Sequence, residues 1–394
     1  MARKELAGVN QPAVTSRTWR VRRSLVAIAL CLGLAACSDA NEVQAATDAP
    51  GNRVTLPDGR KLNLRCFGRG SPTVLLESGF GADSGAWHKV QSALSRLARV
   101  CAYDRAGHGY SDPGPLPRDG ASIARDLDLA LQAARIRGPY IVVGHSSGGL
   151  YGRIFAARRP GQISGLVLLD PTVERRAPRP RGDGLDGIRQ RLVRCGAISE
   201  TNPRPGMEDP VWAGCLSDQP SANEIALAQR PAKWRGQLSE LDSIFGRTSE
   251  QVGRIGDVLS DVPAYVITAS ETADAAPKVP FGPQISIWEA QHQQIAGYSR
   301  HGFQTTVVSP HLVMIARPDV VVAAVKAMIV ASRTGKPPAP LPASETNAMP
   351  QYTPPGDPGP IPNLFDQPLT APITDTSKWS GPGDVQRGSL WVLR

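Results

Sequence analysis

Short apolar runs alternate along this chain with stretches of helical periodicity. The apolar runs stand at 73–76, 100–103, 140–143, 165–169, 264–268 and 305–308. Between them, 86–98, 123–134 and 150–158 carry apolar residues at helical spacing, and a last helix is predicted over 319–331. A strand that is apolar at nearly every position is buried on both faces. The pattern therefore predicts a mostly parallel sheet covered by helices, an α/β class of fold. Ahead of the series, 54–64 alternates around Asp58-Gly59, the signature of a β-hairpin.

Two regions break this rhythm. Residues 171–259 show no clear strand, being rich in Arg and Pro at first and helical later, which predicts a cap inserted into the main domain. Trp212, Trp234 and Phe245 fall in it and suit either an acyl pocket or helix packing. From 335 the chain turns Pro-rich, beginning Lys336-Pro-Pro-Ala-Pro-Leu-Pro342. Such composition buries too little surface to fold alone, so 335–394 reads as an extended tail. The main domain is expected over 53–334.

One segment carries chemistry directly. Tyr140-Ile-Val-Val-Gly-His-Ser-Ser-Gly-Gly149 places Gly144-x-Ser146-x-Gly148 straight after a predicted strand and straight before a predicted helix. In that context the motif reads as a nucleophile elbow, where a sharp turn presents the serine hydroxyl at the sheet edge. Side chains at the flanking positions would collide, and glycine avoids the collision. The helix that follows aims its first amides at the site. A serine hydroxyl needs a base. His311 is the candidate, in a loop after the last predicted strand and before the last helix. His145 is the variable residue of the elbow, and His108 lies in a turn. His88 precedes the serine, while His292 and His301 come before the last strand.

Composition narrows the setting. With 41% hydrophobic and 20% charged residues, the 394-residue chain is an ordinary globular one. Of its +9 formal charge, the six basic residues and one acid before Cys37 supply five, leaving a weak excess of +4 spread along the rest. No basic block interleaved with aromatics appears, which argues against a nucleic-acid partner. The N-terminus reads as an export signal over 1–36: basic residues ending in Arg22-Arg23, then an apolar run, 25–36, too short to span a bilayer comfortably. Arg22-Arg23-Ser24-Leu25 faintly resembles a twin-arginine signal.

Leu34-Ala35-Ala36-Cys37 resembles the lipobox of bacterial lipoproteins. That resemblance implies lipidation of Cys37, a polar linker over 37–52 and attachment to a cell-envelope membrane. Cleavage after Ala45 or Ala46 would instead give a soluble secreted or periplasmic protein. Apart from Cys31 and Cys37, four cysteines remain, Cys66, Cys101, Cys195 and Cys215. In an oxidising compartment they suggest two disulfides, and their spacing matches no zinc site.

Further motifs carry a family resemblance. Cys101-Ala-Tyr-Asp-Arg-Ala-Gly-His-Gly-Tyr-Ser111 and Leu75-Leu-Glu-Ser-Gly-Phe-Gly81 resemble segments of the α/β-hydrolase superfamily, over about residues 54–331. The resemblance implies an eight-stranded, mostly parallel sheet with flanking helices and a helical cap. It puts Cys66 and Cys101 on neighbouring strands and so favours a Cys66–Cys101 bridge, with Cys195–Cys215 inside the cap. Asp104 and His108 would shape their turn. The oxyanion hole would use the amides of Ser147 and Phe80, with Gly81 as a one-residue alternative, because Ser78-Gly79 replaces the family's usual His-Gly opening. Many members place the acid where this chain has Thr272. Another known location, the end of the preceding strand, holds Asp170. Asp170 ranks first for that role, with Asp274 and Glu271 as alternatives.

These residues imply acyl transfer to water, with no metal or cofactor. A small-molecule ester is the leading substrate class. Prolyl-aminopeptidase-like cleavage of amides and cofactor-free peroxidase-like chemistry are rivals on the same fold. A non-catalytic envelope binding protein is the reading from a different class.

Overall fold

The computed structural model describes residues 49–346 apart from 175–184, 218–219, 277 and 279–284. The expected signal at 1–36, the expected lipidation site at Cys37, most of the expected 37–52 linker and the tail beyond 346 lie outside those residues. Eight strands form a single sheet. In chain order they are β1 (Asn52–Thr55), β2 (Lys61–Phe67), β3 (Thr73–Glu77), β4 (Arg99–Tyr103), β5 (Tyr140–His145), β6 (Ile163–Leu169), β7 (Ala264–Ala269) and β8 (Gly302–Val307). Their spatial order is β1-β2-β4-β3-β5-β6-β7-β8. The first two pairings are antiparallel, and all those from β4 to β8 are parallel. This is the doubly covered α/β sheet that the apolar runs predict.

The burial explains the sequence pattern. Every residue of β3, β5 and β7 is buried, so an alternating pattern would leave polar groups against one layer of helices. One face is covered by α1 (His88–Ser95) and by α11 (Pro318–Thr334), which follows α9 (Ile287–Ala296) and α10 (Val313–Ala316) in the chain. On the other lie α2 (Gly120–Ala133) and α3 (Gly148–Arg158). Asp119 caps α2 by accepting the Ser122 amide at 2.9 Å. The last strand begins earlier than its apolar run, at Gly302, because the edge position leaves Phe303 to Thr306 half-buried and tolerant of polar residues.

Between β6 and β7 the chain builds α4 (Leu185–Glu200), α5 (Ala222–Ala228), α6 (Pro231–Ser243) and α7 (Ser249–Gly253). Residues of α4 and α6 share a separate apolar core that includes Leu192, Trp212, Trp234 and Leu238. Trp212 and Trp234 are therefore packing residues, and the Trp234 indole N–H donates to the Ala228 carbonyl at 2.7 Å. Phe245 packs instead against the core of the main domain. Phe80 touches both cores, which makes it the apolar joint between them.

Both disulfides are present. Cys66 and Cys101 face each other directly across the β2–β4 ladder, and Cys195 on α4 joins Cys215. The second bridge closes a sequence separation of 20 residues within the helical segment. Closing a loop of that length removes unfolded-state entropy worth about 3 kcal/mol. Replacing Cys195 and Cys215 together by Ser is expected to lower unfolding free energy by about that amount, read from denaturant titration followed by tryptophan fluorescence.

Candidate active site

The bend between β5 and α3 is built by exclusion. A Cβ placed on Gly144 would lie 2.6 Å from the Gly148 carbonyl oxygen, and one on Gly148 would lie 2.3 Å from that of Glu77. No residue with a side chain fits either position. Ser146, between them, takes φ of 52°, a left-handed conformation that a serine holds only under tertiary constraint. Backbone bonds to the end of β6 and to the loop after it hold it there. Its amide donates to the Leu169 carbonyl at 3.0 Å, and its carbonyl accepts the Thr172 amide at 3.0 Å. The hydroxyl thereby sits at the carboxyl edge of the parallel strands, 3.5 Å from the Thr172 hydroxyl.

Asp170 follows β6 at the same edge and is fully buried. Its φ is also positive, at 40°. Oδ2 accepts Nδ1–H of His311 at 2.6 Å, while Oδ1 accepts the Trp288 indole N–H at 2.8 Å and the Ala269 amide at 3.1 Å. Burial alone would raise the carboxyl pKa. The His311 hydrogen bond and charge, with the Trp288 bond, outweigh it, and the net shift is downward. An ionised carboxylate only accepts, so the proton of neutral His311 resides on Nδ1 and Nε2 keeps a lone pair. The His311 side chain is 44% exposed.

His145 ties the loop of His311 to the elbow. Its Nε2–H donates to the His311 carbonyl at 2.9 Å, and the two rings lie 4.6 Å apart. Burial pushes the His145 pKa down to about 3, so the ring is neutral and reserved for this contact. Ser146 and His311 are thus brought to one edge of the sheet, with no hydrogen bond between their side chains among the described residues. The other carboxylates considered, Glu271 and Asp274, lie with Thr272 on α8 (Ser270–Ala275). There the Glu271 amide donates to the Ser309 carbonyl, and neither carboxylate bonds His311 among the described residues.

The loop after β3 abuts the elbow. A Cβ on Gly79 would be 3.1 Å from that of Ser146. Arg105, buried after β4, donates to the Ser78 carbonyl at 2.6 Å and to the Gly79 carbonyl at 2.7 Å. Across a trans peptide the N–H points opposite to the C=O. Drawing the Gly79 carbonyl toward Arg105 therefore turns the Phe80 N–H away from it. Neither the Phe80 nor the Ser147 amide has an acceptor among the described residues, as an oxyanion hole requires. Ser78 accepts the Trp87 indole N–H at 2.9 Å and anchors the loop.

Arg105 also pairs with two buried carboxylates, Glu77 and Glu240, each at 3.0 Å. Glu240 lies on α6 and also accepts the Tyr151 hydroxyl at 3.1 Å. One guanidinium therefore joins the loop after β3 to the helices between β6 and β7. Burial pushes the Glu77 pKa up to about 7, against the pull of Arg105 and of the Tyr103 hydroxyl, which donates to it at 2.6 Å. His108, 3.8 Å from Glu240, is driven by burial down to about 4 and is neutral. Asp104 organises its turn by accepting the Ser84 and Tyr110 amides and the Asn63 side chain.

Sequence reasoning singled out neither Trp288 nor Thr172, and nothing local marks them. Glu77 and Arg105 lie inside the motifs Leu75–Gly81 and Cys101–Ser111. A charged residue ending a wholly apolar strand, as Glu77 does, was the available signal.

The fold has known counterparts. A family model for the alpha/beta hydrolase fold matches residues 72–202. A Klebsiella pneumoniae protein assigned as a carbamate hydrolase is 37% identical over 129 residues, covering 32% of this chain and 47% of that protein. An uncharacterized vacuolar membrane protein of Saccharomyces cerevisiae is 35% identical over 129 residues, 29% of this chain and 20% of its own length. The match thus spans less than half of these relatives. Among solved structures, a protein assigned as a lipase from Acinetobacter baumannii aligns with a TM-score of 0.54 at 15% identity, covering 76% of this chain and 97% of that one. The enol-lactonase of Burkholderia xenovorans aligns with 0.50 at 20% identity, covering 71% and 100%. At such identities the structures bear on the fold alone, and the fold is that of the α/β-hydrolases.

A pH signature follows from Glu77. Its pKa rises on folding from 4.5 to about 7, so between those values the native state holds a proton that the unfolded chain has lost. This group's contribution to stability therefore falls as pH rises through that window. Glu77→Gln is expected to flatten the decline of Tm from pH 4.5 to about 7, measured by calorimetry across that range.

Proposed function

We propose that this α/β-hydrolase-fold chain is a serine hydrolase of small-molecule carboxylic esters, acting through an acyl-enzyme on Ser146. The observation that carries this reading is the 2.6 Å bond from His311 to buried Asp170 at the sheet edge where Ser146 is held at the bend. Ser146 is the nucleophile, His311 the base and Asp170 the residue that orients the imidazole.

The reaction follows from this arrangement. As Ser146 Oγ attacks the acyl carbon, its proton passes to Nε2 of His311, the nitrogen left free by Asp170. The ionised carboxylate stabilises the imidazolium without taking its proton. The carbonyl oxygen becomes an oxyanion and receives the N–H groups of Ser147 and Phe80, each worth roughly 10²–10³ in rate. Collapse breaks the ester C–O bond, and His311 returns the proton to the departing alkoxide. Water then enters, activated by the same histidine, and releases the acid.

Ser146→Ala is expected to abolish turnover of short p-nitrophenyl esters and covalent labelling by a serine-directed phosphonate, with far-UV circular dichroism unchanged. Substantial residual turnover in that variant would remove the serine mechanism. Asp170→Asn is expected to lower kcat by on the order of 10³–10⁴, because the imidazole then adopts the wrong tautomer.

The chain's location belongs to the same proposal: export, with a lipid on Cys37 holding the domain at a cell-envelope membrane. Labelled palmitate should enter the full chain expressed in a bacterium and be absent from Cys37→Ala. Equal labelling of both would count against the anchor.

A further inference from the structure

The charges left over by the active site gather on the opposite edge of the sheet. Strands β3, β4, β5 and β6 are mutually parallel, so the loops entering them share one edge, remote from Ser146, Asp170 and His311. Those entries, with the element ends that adjoin them, are residues 68–72, 96–99, 134–139 and 158–162. They hold Arg69, Arg96, Arg99, Arg135, Arg137, Arg158 and Arg159, and no Asp or Glu. Arg333, at the end of α11, reaches the same edge and donates to the Ser71 and Leu97 carbonyls at 3.0 and 2.7 Å.

Little of this charge is neutralised. Asp128 of α2 takes Arg159 and lies 3.8 Å from Arg158. Arg69, Arg96, Arg99, Arg135 and Arg137 make no ion pair among the described residues, and all but Arg99 are exposed. Arg135, Arg137 and Arg159 line a shallow pocket with Gly138, Tyr140 and Gln162. Beneath β7 and β8 the field ends, where Arg300 pairs with Asp261 at 2.6 Å.

We infer that this arginine face docks on an anionic phospholipid surface. Guanidinium groups suit phosphate oxygens through paired N–H donors, and clustered ones are drawn to a negatively charged leaflet. The direction of the chain agrees. β1 is antiparallel to β2, and β2 to β4, so the chain reaches Asn52 travelling away from the arginine edge. Residues 37–51, fully extended, span up to about 50 Å, enough to reach a surface lying against that edge. Docked in this way, the domain turns the edge carrying Ser146 away from the lipid, toward soluble substrates.

The test compares partition of the intact protein into vesicles of phosphatidylcholine alone and vesicles with about 30% phosphatidylglycerol. Any lipid anchor contributes to both, so the ratio of the two partition coefficients isolates the surface charge. The wild type is expected to prefer the anionic vesicles by at least about 100-fold at low salt, and to lose that preference in ~0.5 M NaCl. The triple variant Arg69→Glu, Arg96→Glu, Arg137→Glu should bring the ratio down by about 100-fold, on the order of fivefold for each arginine removed. Its far-UV circular dichroism and Tm, measured alongside, should equal those of the wild type and report that the fold is intact. Equal partition of the wild type into both vesicles would overturn the inference, as would an unchanged ratio in the variant. Tighter binding to a short single-stranded oligonucleotide than to the anionic vesicles would overturn it in favour of a nucleic-acid partner. Each of these results is independent of whether Ser146 is a nucleophile.

Discussion

The approach of α3 to the end of β3 is so close that its first residue can carry no side chain. Gly148 rests against the Glu77 and Ser78 carbonyls, and Gly144 rests against Gly148. That contact forces the turn at Ser146, and the other parts of the site are placed relative to it. The loop after β3 lies on the serine because β3 is the neighbour of β5. Asp170 lies beside it because β6 is the other neighbour. Strain at residues 146 and 170, both at positive φ, is tolerated because neighbouring strands fix the backbone through hydrogen bonds on either side.

Beneath the loop, a single guanidinium serves two carboxylates and two carbonyls, all out of contact with water. Such a cluster is poor evidence of stability, because desolvating three ionisable groups offsets most of their attraction. Its consequence is geometric. Arg105 fixes which way the Gly79 peptide faces, and Glu240 makes that orientation depend on where α6 lies. The rise in the Glu77 pKa reflects the same imbalance: burial penalises two carboxylates, and one cation cannot fully support both. Phe80 completes the joint, its side chain wedged between two apolar cores and its amide left without an acceptor. The loop that would bind an oxyanion is therefore coupled to the helices above it through both polar and apolar contacts.

Much of this was legible in the chain. The central strands stand where unbroken apolar runs occur, since burial on both faces leaves no alternation to confuse with helix. The turn at residues 144–148 is a steric rule acting over five positions, and it needs no knowledge of the rest of the molecule. Less visible was β8, whose half-buried edge position admits Gln304 and Thr306 and dilutes the apolar signal. Trp288 and Thr172 were invisible for another reason: each matters through one contact with a residue remote in sequence or hidden behind the bend.

Local pattern thus determined the fold class, the serine at the tight turn and the histidine after the last strand, because each depends on neighbours within a few residues or on chain order alone. The partner of that histidine was a different matter. Asp170 directly follows β6, Glu271 and Asp274 lie on the short helix directly after β7, and only the packing of β6 against β7 sets which carboxylate meets the imidazole. Charge behaved likewise. A weak positive excess spread thinly along the chain became a dense arginine field, because parallel strands bring every second connection to one edge. Spacing along a chain fixes what a residue's near neighbours allow, whereas the meeting of distant residues is set by the order of strands in the sheet.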